Sequence, residues 1–402
     1  MSTNPYDVIV VGARCAGSPT AMLLAKKGWR VLLLDRATFP SDTISTHLIH
    51  PPGVDALKRW GLLDKVTATG CPPIHTYSYD FGDFKIEGPP GPEESPISYA
   101  PRRTVLDKIL VDAAREAGVE VRESFTVDDI IIEDGAVVGI RGHSQGGSEV
   151  EERATVVVGA DGRQSQVVRA VQPEQYEDRP QLLAAYYTYW SGLPMDGVNE
   201  VHILPYRGFA AWPTNDDLTL VIAGWPYAEF EENRKDIEGN YHNVLSMVPQ
   251  FAERIKSAKQ EERFLGTAVP NYFRKPFGKG WALVGDAGYN KDFITAFGIT
   301  DAFSQSELCS DALDHYLSGS VEYDESMAKY QSARDEAAMP YYHLTCDLAT
   351  LSPPTPEIQQ VLEAVSRNKD SMADFTRMNG ACLSPAQFFS EENVGRVFAN
   401  AH

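Results

Sequence analysis

The chain has 402 residues, enough for two or three domains around sizeable cores. Its 43% hydrophobic and 23% charged residues make an ordinary globular balance, and a formal net charge of -20 argues against a nucleic-acid partner. Five scattered cysteines without a C-x-x-C pair, and nine histidines without a spacing such as H-E-x-x-H, give no metal framework and suit a reducing compartment.

The N-terminus, residues 1–7, is polar and carries no secretory core, and no stretch reaches the length of a membrane span. A cytoplasmic protein without stable membrane insertion is therefore expected. Residues 6–11 read as an apolar strand, 15–27 as a helix and 30–34 as a second strand. Residues 39–53 carry turn formers and prolines and read as a loop, with a helix resuming over 54–66. A hairpin is expected over 75–88, an exposed proline-rich loop over 89–96 and an amphipathic helix over 102–118. Alternating strands follow, with Asp134-Gly135 as a hairpin signal, and then a buried strand that ends in a turn over 154–162. From about 182 to 225 the pattern is β-rich and aromatic. Residues 281–288 hold another buried strand, a helix spans 298–316, and the rest, after about 322, is mostly helical apart from 352–357.

Between the first strand and helix stands Gly12-Ala13-Arg14-Cys15-Ala16-Gly17, one residue short of the G-x-G-x-x-G loop that seats a dinucleotide pyrophosphate. Gly12 allows the tight turn, and Gly17 allows close helix–strand packing. Arg14 replaces the middle glycine, so its side chain must tilt outward or reach the phosphate, where its charge would help. Asp35 ends the second strand, where a carboxylate can bind both ribose hydroxyls. Arg36 beside it could stack near an adenine or stay solvated.

Two later motifs extend this reading. "VVVGADGRQSQVVR" holds Asp161 and Gly162, and "WALVGDAGYNKDFITAFGITDA" holds Gly285, Asp286 and Gly298-Ile299-Thr300. With "RTVLDKIL" around Arg103 they resemble, in order, the motifs of the FAD-dependent superfamily of para-hydroxybenzoate hydroxylase and, more distantly, the geranylgeranyl reductases. The resemblance spans roughly residues 5–320. It implies a non-covalently held FAD contacted by the glycine loop with Cys15 and Ala16, by Asp35, Arg103 and Asp161, and by Asp286 at the ribityl and pyrophosphate region. It also points the helix near Gly298 at the flavin N1–C2=O edge, where reduction places negative charge.

The fold implied is α/β: a Rossmann-like FAD-binding domain (1–75, 100–175, 265–320), an inserted mixed β-sheet substrate domain (76–99, 176–264) and a helical C-terminal region (321–402). No second glycine-rich loop follows a strand in the β-rich part, so NAD(P)H would bind transiently or a separate flavin reductase would supply electrons. The W-x-W-x-I-P signature of flavin halogenases is absent, which disfavours halogenation. The leading expectation is monooxygenation of an aromatic or polyketide-like small molecule through a flavin C4a-hydroperoxide. The alternatives are reduction of a carbon–carbon double bond and a non-redox use of FAD to shape a pocket.

Residues for the substrate side are less defined. Tyr187, Tyr189 and Trp190, with His202, Tyr206 and Trp212, could line a pocket or be ordinary sheet packing. His47 and His50 lie in a loop that the resemblance places near the flavin, and either could touch ligand or be structural. Phe293 stands where many of the resembling hydroxylases carry proline. With Phe297 it could narrow the space beside the flavin or turn into the core.

Overall fold

The computed structural model describes residues 5–401. Residues 1–4 of the polar N-terminus, and the final residue of the C-terminal region, lie outside that range.

Tyr6–Val11 forms the middle of a parallel sheet, with Val31–Leu34 on one side and Val150–Gly159 on the other. Trp281–Leu283 extends the sheet beyond Val150–Gly159, and Glu120–Arg122 extends it beyond Val31–Leu34. Continuous apolar runs are what a parallel sheet covered on both faces requires. Val8, Val10 and Leu33 pack on the helices Gly17–Lys26, Arg103–Glu116 and Gly298–Leu317, while Ile9, Val11, Leu32 and Leu34 pack under the ribbon Phe125–Glu133 and Ala136–Ser144. The ribbon turns at Asp134 and Gly135, both at positive φ, as an Asp-Gly hairpin demands.

Two local expectations need correction. The helix expected from residue 54 starts at Pro51, because Pro51 and Pro52 occupy its first turn, where a missing N–H costs no intrahelical bond. It also ends at Trp60, where Gly61 takes the left-handed conformation (φ 76°), and a separate short helix, Leu63–Thr67, follows. The 89–96 loop is not simply exposed, since Pro90 and Gly91 are buried. The Thr376 hydroxyl donates to the Pro89 carbonyl at 2.8 Å and anchors the loop to the helix Lys369–Asn379.

The second sheet runs Lys259–Gln260, Leu183–Ser191, Thr219–Pro226, Arg207–Pro213, Val198–Leu204, Thr76–Asp80, Lys85–Gly88. It is mixed, because Val198–Leu204 and Thr76–Asp80 pair in parallel. One face lies under the helices Ile237–Ser246 and Pro249–Lys256. The other carries Tyr77, Tyr79, Tyr187, Tyr189 and Trp212, and the C-terminal helices Pro356–Val365, Lys369–Asn379 and Glu391–Asn400 pack against part of it. Among the described residues, no helix is long and apolar enough to cross a membrane.

The Gly298–Leu317 helix fixes both nucleotide-side loops at once. The Ser306 hydroxyl donates to the Ala16 carbonyl at 2.9 Å, and the Gly285 N–H donates to Gln305 Oε1 at 2.9 Å. Contact between the loops is close enough that a Cβ on Gly285 would lie 2.8 Å from the Ala16 methyl. A Cβ on Gly17 would lie 1.7 Å from the Gly12 carbonyl oxygen, a backbone atom that cannot yield without moving the strand. Gly17→Ala should therefore lower unfolding stability by about 3 kcal/mol, the upper range for overpacking, as read by urea denaturation.

Candidate functional site

The first turn sits at Gly12, whose φ of 102° suits glycine, and an added Cβ would fall 2.5 Å from the Ala160 carbonyl oxygen. Asp35 stiffens the loop from below: Oδ2 accepts the Ala13 N–H at 2.7 Å and Oδ1 the Ala37 N–H at 2.8 Å. Each carboxylate oxygen keeps lone-pair capacity for a ribose hydroxyl. Arg36 is exposed.

Arg14 resolves the departure from the glycine pattern by leaning away from the loop. Its guanidinium meets Asp107 at 2.5 Å, bonds the Ser41 hydroxyl at 3.0 Å and stacks over Phe39 with 5.4 Å to the centroid. Asp107, at 0% exposure, also receives a bidentate pair from Arg103 (2.9 and 3.0 Å) and the Cys15 thiol at 3.4 Å. Two guanidiniums share one carboxylate, which leaves a net positive charge beside the N-terminus of the Gly17–Lys26 helix, as a pyrophosphate requires. Asp107 was absent from the sequence reading. The i, i+4 spacing in Arg103-x-x-x-Asp107 was the available signal.

Asp161 is raised above the usual carboxylate range by burial; Oδ2 caps the Gln166 N–H at 2.7 Å, while Oδ1 is buried without a partner. Gly162 takes φ 75° beside it. Asp286 is exposed, and desolvation by the surrounding protein still raises its carboxyl. Gly298 begins its helix exposed, with open space around its Cα, and Ile299 and Thr300 behind it are buried. The Thr300 hydroxyl accepts the His50 N–H at 3.1 Å. The orphaned Asp161 oxygen, the tight glycine loop and the shared arginine charge fit FAD.

Between the two sheets the 45–50 segment is clasped on both sides. His50 is structural: Tyr77 OH donates to Nδ1 at 2.7 Å, and Nε2–H donates to the Thr295 carbonyl at 3.0 Å. Burial lowers its pKa to about 3 and keeps it neutral. Phe297 is 2% exposed, edge-on to His50 and Tyr341, so it turns into the core; Phe293 is half-buried. Of the two alternatives open for these rings, Phe297 takes the core.

The aromatic strands divide by the period-two rule. Tyr187, Tyr189 and Trp212 face the 45–47 segment: Tyr187 OH accepts the Ser45 N–H at 3.3 Å, and the Trp212 indole donates to the Thr46 carbonyl at 3.1 Å. His202 does not join them. It lies on the opposite face, stacked on Phe209 and edge-on to Phe251, with Glu200 and Asp80 both at 3.6 Å. Trp190 faces that same side, its indole donating to Tyr241 OH at 3.2 Å. Tyr206 sits at a hairpin tip, 52% exposed with φ 57°. His202 and Tyr206 are thus removed from the pocket. Among the described residues no group of three His, Cys, Asp or Glu side chains could hold a metal ion.

A parallel sheet with a dinucleotide loop, a ribose carboxylate and a second aspartate on a separate strand defines a dinucleotide-cofactor protein. The FAD binding domain family matches residues 5–234, more than half of the chain, so the chain belongs to that family and is an FAD-dependent oxidoreductase. It is similar to the digeranylgeranylglycerophospholipid reductase of Methanosarcina mazei, 29% identical over 77% of this chain and 75% of that one. It is similar also to squalene epoxidase of Schizosaccharomyces pombe, 26% identical over 77% and 69%. A myxobacterial chondrochloren halogenase shares the fold with a TM-score of 0.79, 21% identity and coverage of 98% of this chain and 97% of that one.

Removing Asp107 leaves the buried Arg103 guanidinium and the half-buried Arg14 guanidinium without their shared counter-charge. Asp107→Ala should cost about 3–5 kcal/mol in urea unfolding, against under about 1 kcal/mol for the exposed pair broken by Lys329→Ala. Asp292, at the head of the turn Phe293–Thr295, gives a pH signature. Its Oδ1 accepts the Ile294 N–H at 3.0 Å, Oδ2 is buried without a partner, and burial pushes the carboxyl up to about 7. The folded protein then holds a proton that the unfolded chain has shed between about pH 4 and pH 7, so this group's contribution falls as pH rises through that window. Asp292→Asn should accordingly gain stability over the parent at about pH 8 and lose most of that gain at about pH 4, measured by urea midpoints.

Proposed function

We propose that the chain is a monooxygenase for a flat, apolar small molecule of aromatic or polyketide-like type. The observation that carries this reading is the aromatic layer of Tyr187, Tyr189 and Trp212, turned toward the 45–47 segment that leads from the Asp35 strand to the helix Pro51–Trp60. FAD, when bound and reduced, supplies the oxygen-activating redox chemistry. The residues of the chain bind and orient: the aromatic layer backs the wall against which a planar ring packs, and the packed sheet excludes water. Squalene epoxidase, a similar chain by sequence, supports oxygen insertion.

Reduction of a carbon–carbon double bond is the second reading, favoured by the likeness to the digeranylgeranylglycerophospholipid reductase. In either case electrons come from a transiently bound nicotinamide or from a separate flavin reductase. The free cysteines fit a cytoplasmic location.

Isotopes separate the two reactions. With a converted substrate under labelled dioxygen, the first reading expects one labelled oxygen in the product. Oxygen-independent turnover that adds two hydrogens and no label would replace it with the second.

A further inference from the structure

His47 is fully buried and held at φ 63°, a conformation that histidine tolerates and that most side chains avoid. Its Nε2 lies 2.5 Å from the Tyr189 hydroxyl, and its ring stacks on the Tyr189 ring at 5.9 Å. The Arg102 guanidinium covers the Tyr189 ring, 4.2 Å from its centroid, and reaches Glu262 at 2.7 Å. His47 Nδ1 is buried and has no hydrogen-bond partner.

Donor and acceptor strength assigns the tautomer. Burial, with Arg103 and Arg102 nearby, holds the imidazole neutral, so one nitrogen carries a proton. If Nε2 carried it and donated to Tyr189, the phenol proton would turn to the neighbouring Tyr187 hydroxyl and the bare Nδ1 would go unpaired. If Tyr189 donates to Nε2, only the Nδ1–H goes unpaired. The second arrangement pairs the more acidic donor, a phenol O–H, with the more basic acceptor, an imidazole nitrogen, and the stranded buried donor it leaves is costly enough to seek an acceptor.

We infer that His47 is a ligand-recognition residue whose Nδ1–H donates to an acceptor oxygen at the edge of a flat ring, with Tyr189 as the positioning residue that fixes the proton there. The oxygen belongs either to the flavin ring or to an oxygenated aromatic substrate. Nδ1 has no solvent contact in the structure, so the ligand must displace a neighbour. Between Ser41 and Thr46, which are held at 3.0 and 3.1 Å, the 42–45 stretch meets the rest of the fold through longer contacts: Arg102 to Asp42 at 3.4 Å, Arg14 to the Asp42 carbonyl at 3.4 Å and Ser45 to Tyr187 at 3.3 Å, with Ile44 exposed between them. The inference concerns binding and stands apart from whether oxygen or hydride is transferred.

The test uses the full chain carrying His47→Leu, His47→Asn or Tyr189→Phe. Three quantities are measured: FAD affinity of the apoprotein, midpoint potential of the holoprotein, and holoprotein affinity for 4-nitrophenol against nitrobenzene, which lacks the hydroxyl. His47→Leu should weaken one of these interactions about five- to tenfold. His47→Asn, whose amide N–H overlays Nδ1 and whose backbone accepts left-handed φ, should restore most of it. A change in FAD affinity and potential assigns the oxygen to the flavin; a loss for 4-nitrophenol alone assigns it to the substrate. Nitrogen-15 NMR should show the His47 proton on Nδ1, and Tyr189→Phe should spread it over both nitrogens. Unchanged FAD affinity, potential and probe binding in His47→Leu, a probe that fails to bind the parent included, would overturn the inference. So would an Nε2–H tautomer in the parent, which remains readable if His47→Leu does not fold.

Discussion

Two guanidiniums and a thiol converge on the Asp107 carboxylate, which has no exposure of its own. That convergence sets the geometry of the nucleotide side. A middle glycine normally lets a loop backbone approach a pyrophosphate, and Arg14 places a bulky cation there. The loop still closes because Asp107 draws the Arg14 side chain toward the Arg103–Glu116 helix and holds it against Phe39. The ion pair is a steering device as much as a stabilising one, since desolvation offsets most of the attraction inside a protein. Its net positive charge remains, and it adds to the partial charge of the helix terminus behind Gly17.

The Gly298–Leu317 helix makes the second constraint. Through Ser306 and Gln305 it grips the Ala16 and Gly285 loops, which arrive from strands more than two hundred and fifty residues apart in sequence. A helix that pins both loops also presents its own N-terminus to the space between them. Cofactor geometry thereby depends on one rigid element rather than on the register of three strands; the steric limit at Gly285 arises from its closeness to Ala16, while those at Gly12 and Gly17 arise where the loop packs on itself and on Ala160.

Much of this was legible in the sequence, because a parallel sheet writes its strands as apolar runs and its phosphate loop as glycines. Gly12, Asp35, Asp161 and Gly285 lie just past the ends of strands that the apolar runs mark. What escaped were contacts between residues distant in the chain. Asp107 is one helical turn from Arg103, but nothing local says that Arg14 and Cys15 reach it as well. Helix boundaries failed where proline begins a helix instead of breaking it, as at Pro51. The aromatic strands failed differently: alternation shows that Tyr187 and Tyr189 share a face, yet which face is inward depends on where the Pro249–Lys256 helix packs. Because that helix covers the other side with Phe251, His202 is lost to the pocket.

The same sheet explains why one scaffold accommodates reduction, epoxidation and halogenation among similar chains. Its outer face is sealed by aromatic packing, as with Trp225, Phe209 and Phe251, and has little freedom to change. Its inner face is interrupted by hydroxyl and imidazole groups whose partners cross from a loop, as Tyr187 meets Ser45 and Tyr189 meets His47. A substitution in that loop alters which hydrogen-bonding groups face a ligand without disturbing a strand. The nucleotide side, by contrast, is locked by the Gly298–Leu317 helix and the Asp107 cluster. Divergence in chemistry then falls on residues 41–47 and their sheet partners, where the fold leaves His47 Nδ1 buried and unpaired beside the Tyr189 ring.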